Sequence, residues 1–175
     1  MDELALYGGL DGALTGDTAA GVFVGRDGDQ IILALHKIWR PTKASPLDLR
    51  ELEAWVLDVH QRYRVVKVLA DPYQLMRSIA FLRDQGVAVE PYQQTTANLT
   101  RMATVVLELL RSGSLVLYPS DELREQALNA TLVESAHGLR IAKERASKKI
   151  DSLVALAMAC TAAVAEPQLA PAQLW

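Results

Sequence analysis

Three aspartates stand where apolar elements break the surface: Asp11 at the end of one strand-like run, Asp71 at the end of another, and Asp151 at the start of an alanine-rich helix. A fold that gathers those three ends makes a carboxylate cluster, and hard oxygen ligands of that kind recruit Mg2+ or Mn2+. Two such ions about 3.5–4 Å apart can activate an attacking water and stabilise a leaving 3′ oxygen, which is what phosphodiester hydrolysis requires. The expected arrangement has Asp11 bridging, with Asp71 and Asp151 each completing the sphere of one ion. Asp17 is a possible further ligand, although an acid in a hairpin turn needs no other explanation. Crowded carboxylates repel, so without metal one of the three is expected to bind a proton more readily than a free aspartate.

Each aspartate also has a structural role open to it. Asp11-Gly12 suits a turn after a strand. Asp71 can cap a helix beginning at Pro72, and Asp151 can favour a helix N-terminal dipole. Just before Asp151, residues 140–149 carry Arg140, Lys143, Arg145, Lys148 and Lys149 against a single acid, Glu144. Lys148 and Lys149 are candidates for contacts to the scissile or neighbouring phosphate, and Lys143 or Arg140 for contacts to the DNA backbone or groove. A solvated basic face explains any one of them equally well. His36, His60 and His137 lack metal-ligand spacing, and Trp39, Trp55 and Trp175 form no regular stripe for stacking bases. Cys160 is the only cysteine, which excludes a disulfide or thiolate zinc site within the chain and suggests a core residue.

The elements that position these groups can be read from periodicity. Residues 4–12, 19–26 and 30–39 are strands, with Asp27-Gly28-Asp29 as the tight turn between the second and third. Ser45-Pro46-Leu47-Asp48 carries helix-start signals, and Leu49, Leu52, Val56 and Val59 continue at helical spacing to about Tyr63. Residues 65–70 are a β-branched run typical of a doubly covered strand. A second helix stops at Gly86, residues 87–92 return as a strand, a third helix spans 99–110 and closes at Gly113, and 115–118 is extended. Ser120 caps a fourth helix to about Ala130, residues 131–143 form a hairpin turning at His137-Gly138, and Ser147 caps a last helix to about Ala165. Pro167 and Pro171 mark 167–175 as a flexible tail, leaving 1–166 as one domain.

The expected fold is therefore α/β: a central mixed sheet, three antiparallel strands then parallel ones, flanked by helices, with an added β-hairpin before the C-terminal helix. This is the element order of the ribonuclease H-like fold, and connection rules put the fourth strand beside the first. Its 175 residues suffice for one core, half the residues are apolar, and none of the apolar runs could span a bilayer. No signal-peptide pattern follows Met1, which suggests a soluble intracellular protein. The formal charge of −3 argues against gripping nucleic acid through phosphates alone and predicts weak, salt-sensitive binding.

Three segments carry a family resemblance: Gly9-Leu10-Asp11-Gly12-Ala13 with the following Thr15-Gly16-Asp17, then Ala70-Asp71-Pro72-Tyr73-Gln74, and Lys149-Ile150-Asp151-Ser152-Leu153 leading into a small-residue helix. Together they resemble the nuclease domain of a tailed-phage terminase large subunit, a member of the ribonuclease H-like, RuvC-like superfamily, over nearly the whole chain. The resemblance implies a metal-dependent endonuclease that cuts concatemeric double-stranded phage DNA during packaging, in the cytoplasm of an infected or lysogenic bacterial host. It implies as partners double-stranded DNA, a terminase ATPase domain or subunit, a small subunit and a portal protein, with no membrane. It places Asp11, Asp71 and Asp151 at the positions of the three acidic ligands. No Gly-x-x-x-x-Gly-Lys-Ser/Thr loop occurs, so ATP hydrolysis is not expected of this chain, which reads as an excised domain or a separately encoded nuclease. A Holliday-junction resolvase or a transposase catalytic domain would use the same elements. Residues 11–17 also faintly resemble the phosphate loop of actin-like nucleotide-binding proteins, a reading that requires a duplicated second half.

Overall fold

The computed structural model describes residues 4–12, 18–135, 138–145 and 148–166. Its elements run β1 (Leu6–Gly12), β2 (Ala19–Asp27), β3 (Gln30–Trp39), α1 (Leu49–Arg62), β4 (Val65–Ala70), α2 (Pro72–Asp84), β5 (Val89–Pro91), α3 (Thr96–Ser112), β6 (Leu115–Val116), α4 (Asp121–Leu128), β7 (Ala130–Ser135), β8 (Gly138–Lys143) and α5 (Asp151–Ala165). Six strands form one sheet in the order β5-β4-β1-β2-β3-β6, and β7 and β8 form a separate antiparallel hairpin. β1, β2 and β3 pair antiparallel, whereas β4 runs parallel to β1 and β5 parallel to β4. The fourth strand thus lies beside the first, as connection rules require, and the expected ribonuclease H-like architecture with its extra hairpin is the one observed.

Alternation along β1 decides which chemistry faces which layer. Leu6 and Leu10 point into a core with α1 and α2 that includes Phe23, Val56, Val68 and Ile79. Tyr7 points to the other face, into a core built around α5 with Met102, Val106, Met158 and Cys160. Asp11 shares the parity of Tyr7 and Gly9 and so faces α5. That helix is buried on nearly every side, which accounts for its run of small apolar residues without a polar stripe. It lies so close to the sheet that a Cβ on Gly9 would come within 1.9 Å of the Ala155 carbonyl oxygen. Glycine at this position sets the approach of α5 to β1, and with it the position of Asp151 relative to Asp11.

The far end of α5 is tied down by charge. The Arg26 guanidinium donates to the Ala163 and Glu166 carbonyl oxygens at 3.1 and 3.0 Å, satisfying acceptors that a helix C-terminus leaves open. Lys67 pairs with Glu166 at 2.7 Å and with Glu90 at 3.4 Å.

Several boundaries differ from expectation for identifiable reasons. α1 starts at Leu49, three residues beyond the expected site, because the Asp48 carboxylate accepts from the Arg50 backbone N–H while Ser45 is engaged in a turn with Thr42. α3 starts at Thr96, with the Thr95 hydroxyl accepting from the Asn98 N–H, and ends on Gly113 at φ +70°, the left-handed conformation glycine adopts without strain. The strand expected over 87–92 is ladder-paired only at Val89–Pro91, and that over 115–118 only at Leu115–Val116. The fourth helix stops at Leu128, and Ala130 already belongs to β7. The cap expected from Ser147 lies outside the described residues, as do Asp17, His137 and 167–175. α5 itself begins at Asp151 with no side-chain cap at Ile150. The Gln126 side-chain oxygen from α4 accepts from the Ser152 N–H at 2.8 Å instead, and the Asn129 amide donates to the Lys149 carbonyl at 3.2 Å. No helix among the described residues is long and apolar enough to cross a membrane.

Candidate active site

Asp11 ends β1, and Asp71 follows the last residue of the neighbouring parallel strand β4. The Asp71 backbone N–H donates to the Leu10 carbonyl at 3.0 Å, so the ladder itself sets the two aspartates side by side. Crevices outside the carboxyl ends of parallel strands are the usual ligand positions in open α/β sheets. Asp151 enters from the α5 face in the first turn of that helix, where the dipole favours a negative charge. Asp11 and Asp151 are 6% and 7% exposed, whereas Asp71 is half-buried.

The electrostatics of the three groups are coupled. Burial pushes the Asp11 carboxyl well above the ordinary carboxylate range, and the charges of Asp151 and then Asp71 push it further. A hydrogen bond from Gln94 and the charge of Lys143 act in the opposite sense. Asp71 is also raised, by burial, against hydrogen bonds from the Tyr73 N–H and from Gln94. The expectation that one aspartate of the cluster holds its proton unusually well therefore falls on Asp11, the member that feels both of the others.

Two side chains absent from the sequence-derived set occupy this cluster. The Gln94 amide nitrogen donates to Asp11 Oδ1 and to Asp71 Oδ2, each at 2.8 Å. The Thr18 hydroxyl donates to Asp151 Oδ2. Among the described residues, no three His, Cys, Asp or Glu side chains are arranged as a ready metal cage. The amide bridges Asp11 and Asp71, the hydroxyl engages Asp151, and the Tyr73 backbone N–H also donates to Asp71. The donor set itself suits a hard cation: all-oxygen, anionic, and held in mutual repulsion that a positive ion would relieve.

Asp71 plays two roles at once. Its carboxylate caps α2 by accepting from the Tyr73 N–H at 3.0 Å, so the structural role open to it is filled alongside its place in the cluster. The chain does not run smoothly into that helix. Tyr73 is non-helical, and Gln74 takes φ +69°, the one positive φ on a non-glycine residue among those described. This turn leaves Tyr73 73% exposed beside an open cleft of about 500 Å3 lined by Asp71, Pro72, Tyr73, Gln93 and Gln94. A second cleft of equal volume runs along α3, β6 and α4, lined by Leu110, Leu117 and Leu123 with Asp121, and contains none of Asp11, Asp71 and Asp151.

The basic residues separate. Lys143, at the end of β8, is close enough for its charge to act on Asp11. Arg140 lies three positions earlier and thus on the opposite face of the same strand, so the hairpin does not present the two together. Lys149 is partly buried before α5, its carbonyl held by Asn129, and Lys148 is exposed, its backbone N–H donating to the Arg145 carbonyl. His36 belongs to a separate polar group with Tyr118 and Ser120, and Cys160 is buried in the α5 core with its thiol pushed up to about 12.

No family model and no curated protein matches the sequence. Solved structures do match. The large terminase of bacteriophage HK97 superimposes with a TM-score of 0.79 at 18% identity, over 93% of this chain and 40% of that one, so this chain spans well under half the length of the HK97 protein. The large terminase nuclease of thermophilic phage G20c, solved with bound magnesium, gives a TM-score of 0.73 at 15% identity over 92% of this chain and 82% of that one. The same nuclease has been solved with cobalt and with zinc. The nuclease domain of the Thermus phage P74-26 large terminase gives 0.71 at 14% identity over 91% and 80%. At these identities the likeness is one of fold: the chain is built as the nuclease domains of phage large terminases are built.

Proposed function

We propose that this chain is the nuclease part of a phage DNA-packaging terminase, a divalent-metal-dependent endonuclease that cuts concatemeric double-stranded DNA in the cytoplasm of a bacterial host. The observation that carries the reading is the meeting of Asp11, Asp71 and Asp151, from β1, β4 and α5, at one end of a sheet with the terminase-nuclease fold. Asp11 feels the charge of both other carboxylates, which suits it to bridge two ions, with Asp71 and Asp151 each serving one. Asp17 remains a candidate further ligand. The magnesium, cobalt and zinc bound in the G20c nuclease structures support a divalent ion as cofactor. When bound, a pair of Mg2+ or Mn2+ ions would supply an activated water and charge stabilisation at the leaving oxygen.

The remaining work falls to the chain's own residues. Lys143 offsets negative charge at Asp11, and Lys148 and Lys149 beside α5 offer contacts to backbone phosphates, which orient DNA without reading its sequence. Arg140, on the other face of the hairpin, would serve only a duplex lying against that outer face. With a net charge of −3, the chain would depend on partners to hold DNA, and the ATPase, small subunit and portal of a packaging machine are the ones this reading proposes.

Supercoiled and linear plasmid offered to the purified chain with Mn2+, Mg2+ or EDTA test the proposal. Cutting should need metal and should fall by at least about a hundredfold in Asp71→Asn and Asp151→Asn, the scale of losing one electrostatic stabiliser of a transition state. Undiminished cutting by both variants, or equal cutting in EDTA, would sink it.

A further inference from the structure

Gln94 lies outside the expected ligand set yet touches two of its members. We infer that Gln94 is a latch on the metal site: its side-chain amide holds Asp11 and Asp71 together and must be displaced before a divalent cation can draw on both. The inference rests on the metal-dependent reading above and concerns how that site is regulated.

A side-chain amide carries two N–H hydrogens, and here one goes to each carboxylate, to Asp11 Oδ1 and Asp71 Oδ2, both at 2.8 Å. Hydrogen bonds to ionised acceptors are the stronger kind. The amide thus directs partial positive charge at the gap between two repelling groups, which is where a cation would gain most from both. The two positive partners compete for the same pair of carboxylates.

The backbone around Gln94 is fixed, so the side chain is the part that can yield. The Tyr92 N–H donates to the Ala70 carbonyl at 2.7 Å, extending the β4–β5 pairing, and the Gln93 carbonyl accepts from the Thr95 N–H and from the Asn98 side chain at 2.9 and 2.7 Å. Thr95 then caps α3. Gln94 itself is exposed, so its amide can turn into water and recover its hydrogen bonds there. A contact made only in one of two states lowers affinity for a ligand that selects the other. By that linkage, Gln94 weakens cation binding while steadying the carboxylates against each other.

Calorimetric titration with Mn2+ of the wild-type chain, Gln94→Ala, the near-isosteric Gln94→Met and Asp71→Asn tests this, with melting in EDTA measured alongside. Both Gln94 variants should bind Mn2+ roughly five- to a hundredfold tighter than wild type, the scale of the two net hydrogen bonds the amide gives up. Both should melt lower in EDTA and gain more from added Mn2+, while Asp71→Asn should bind more weakly. Wild-type binding with unchanged or weaker affinity in both Gln94 variants would overturn the latch alone. Failure of well-folded wild type to bind Mn2+ would overturn the metal site, and the latch with it.

Discussion

The two ends of α5 solve opposite problems. At the C-terminal end every charge named has a partner: Arg26 holds two carbonyl oxygens, and Lys67 pairs with Glu166 and Glu90. At the N-terminal end, Asp151 meets Asp11 and Asp71, three like charges in a largely buried corner, with a hydroxyl, an amide and the nearby Lys143 to offset them. The first end is arranged for stability. The second is arranged against it, as expected where ligand binding rather than folding selects the residues.

The largest effect on this contrast should come from the glycine that fixes both ends at once. A methyl group at position 9 cannot fit against the Ala155 carbonyl, so Gly9→Ala should destabilise by about 3 kcal/mol or more and lower cutting as α5 moves off the sheet. Denaturant unfolding measures the first effect and plasmid cleavage the second; full stability in the variant would mean that α5 does not sit where described.

Smaller and opposite shifts should distinguish the ends. Arg26→Met should cost about 1–2 kcal/mol, the worth of a charge-assisted cap on a helix C-terminus, while leaving cutting by the folded fraction unchanged. Asp11→Asn should instead stabilise the protein in EDTA near neutral pH, because it removes a charge that burial and the neighbouring Asp151 and Asp71 oppose. The sign has a pH dependence. The folded-state value of Asp11 is raised, so its contribution to stability is fully present below the ordinary carboxylate range and is lost as pH rises through the raised value. The advantage of Asp11→Asn over wild type should therefore be greatest at neutral and alkaline pH and should close on acidification. An advantage that widened toward low pH would place the charge cluster elsewhere.

What was legible in the sequence follows the same division. β1 and β4 announce themselves through apolar runs that stop at an aspartate and α5 through one that starts at an aspartate, and the parallel pairing of β4 with β1 follows from connection rules. Local signals failed where partners are distant in sequence. The start of α5 is held by Gln126 and Asn129, more than twenty residues upstream of Ser152 in one case and twenty from Lys149 in the other, and nothing in the run just before Asp151 points to either. Gln94 bridges residues 83 and 23 positions away. Its only sequence signal is its place: a polar residue following a parallel strand and preceding a threonine cap, at the end of the sheet where ligands gather. The positive φ of Gln74 had no glycine to betray it. Arg140 and Lys143 looked alike in the basic run until strand parity set them on opposite faces.

A crystal of the chain grown with Mn2+, measured at the manganese absorption edge, tests the central claim most directly. The account predicts two anomalous peaks about 3.5–4 Å apart, with Asp11 touching both, Asp71 and Asp151 one each, and the Gln94 amide turned away. Manganese bound elsewhere in a well-ordered crystal, with the three aspartates still held by Gln94 and Thr18, would contradict it.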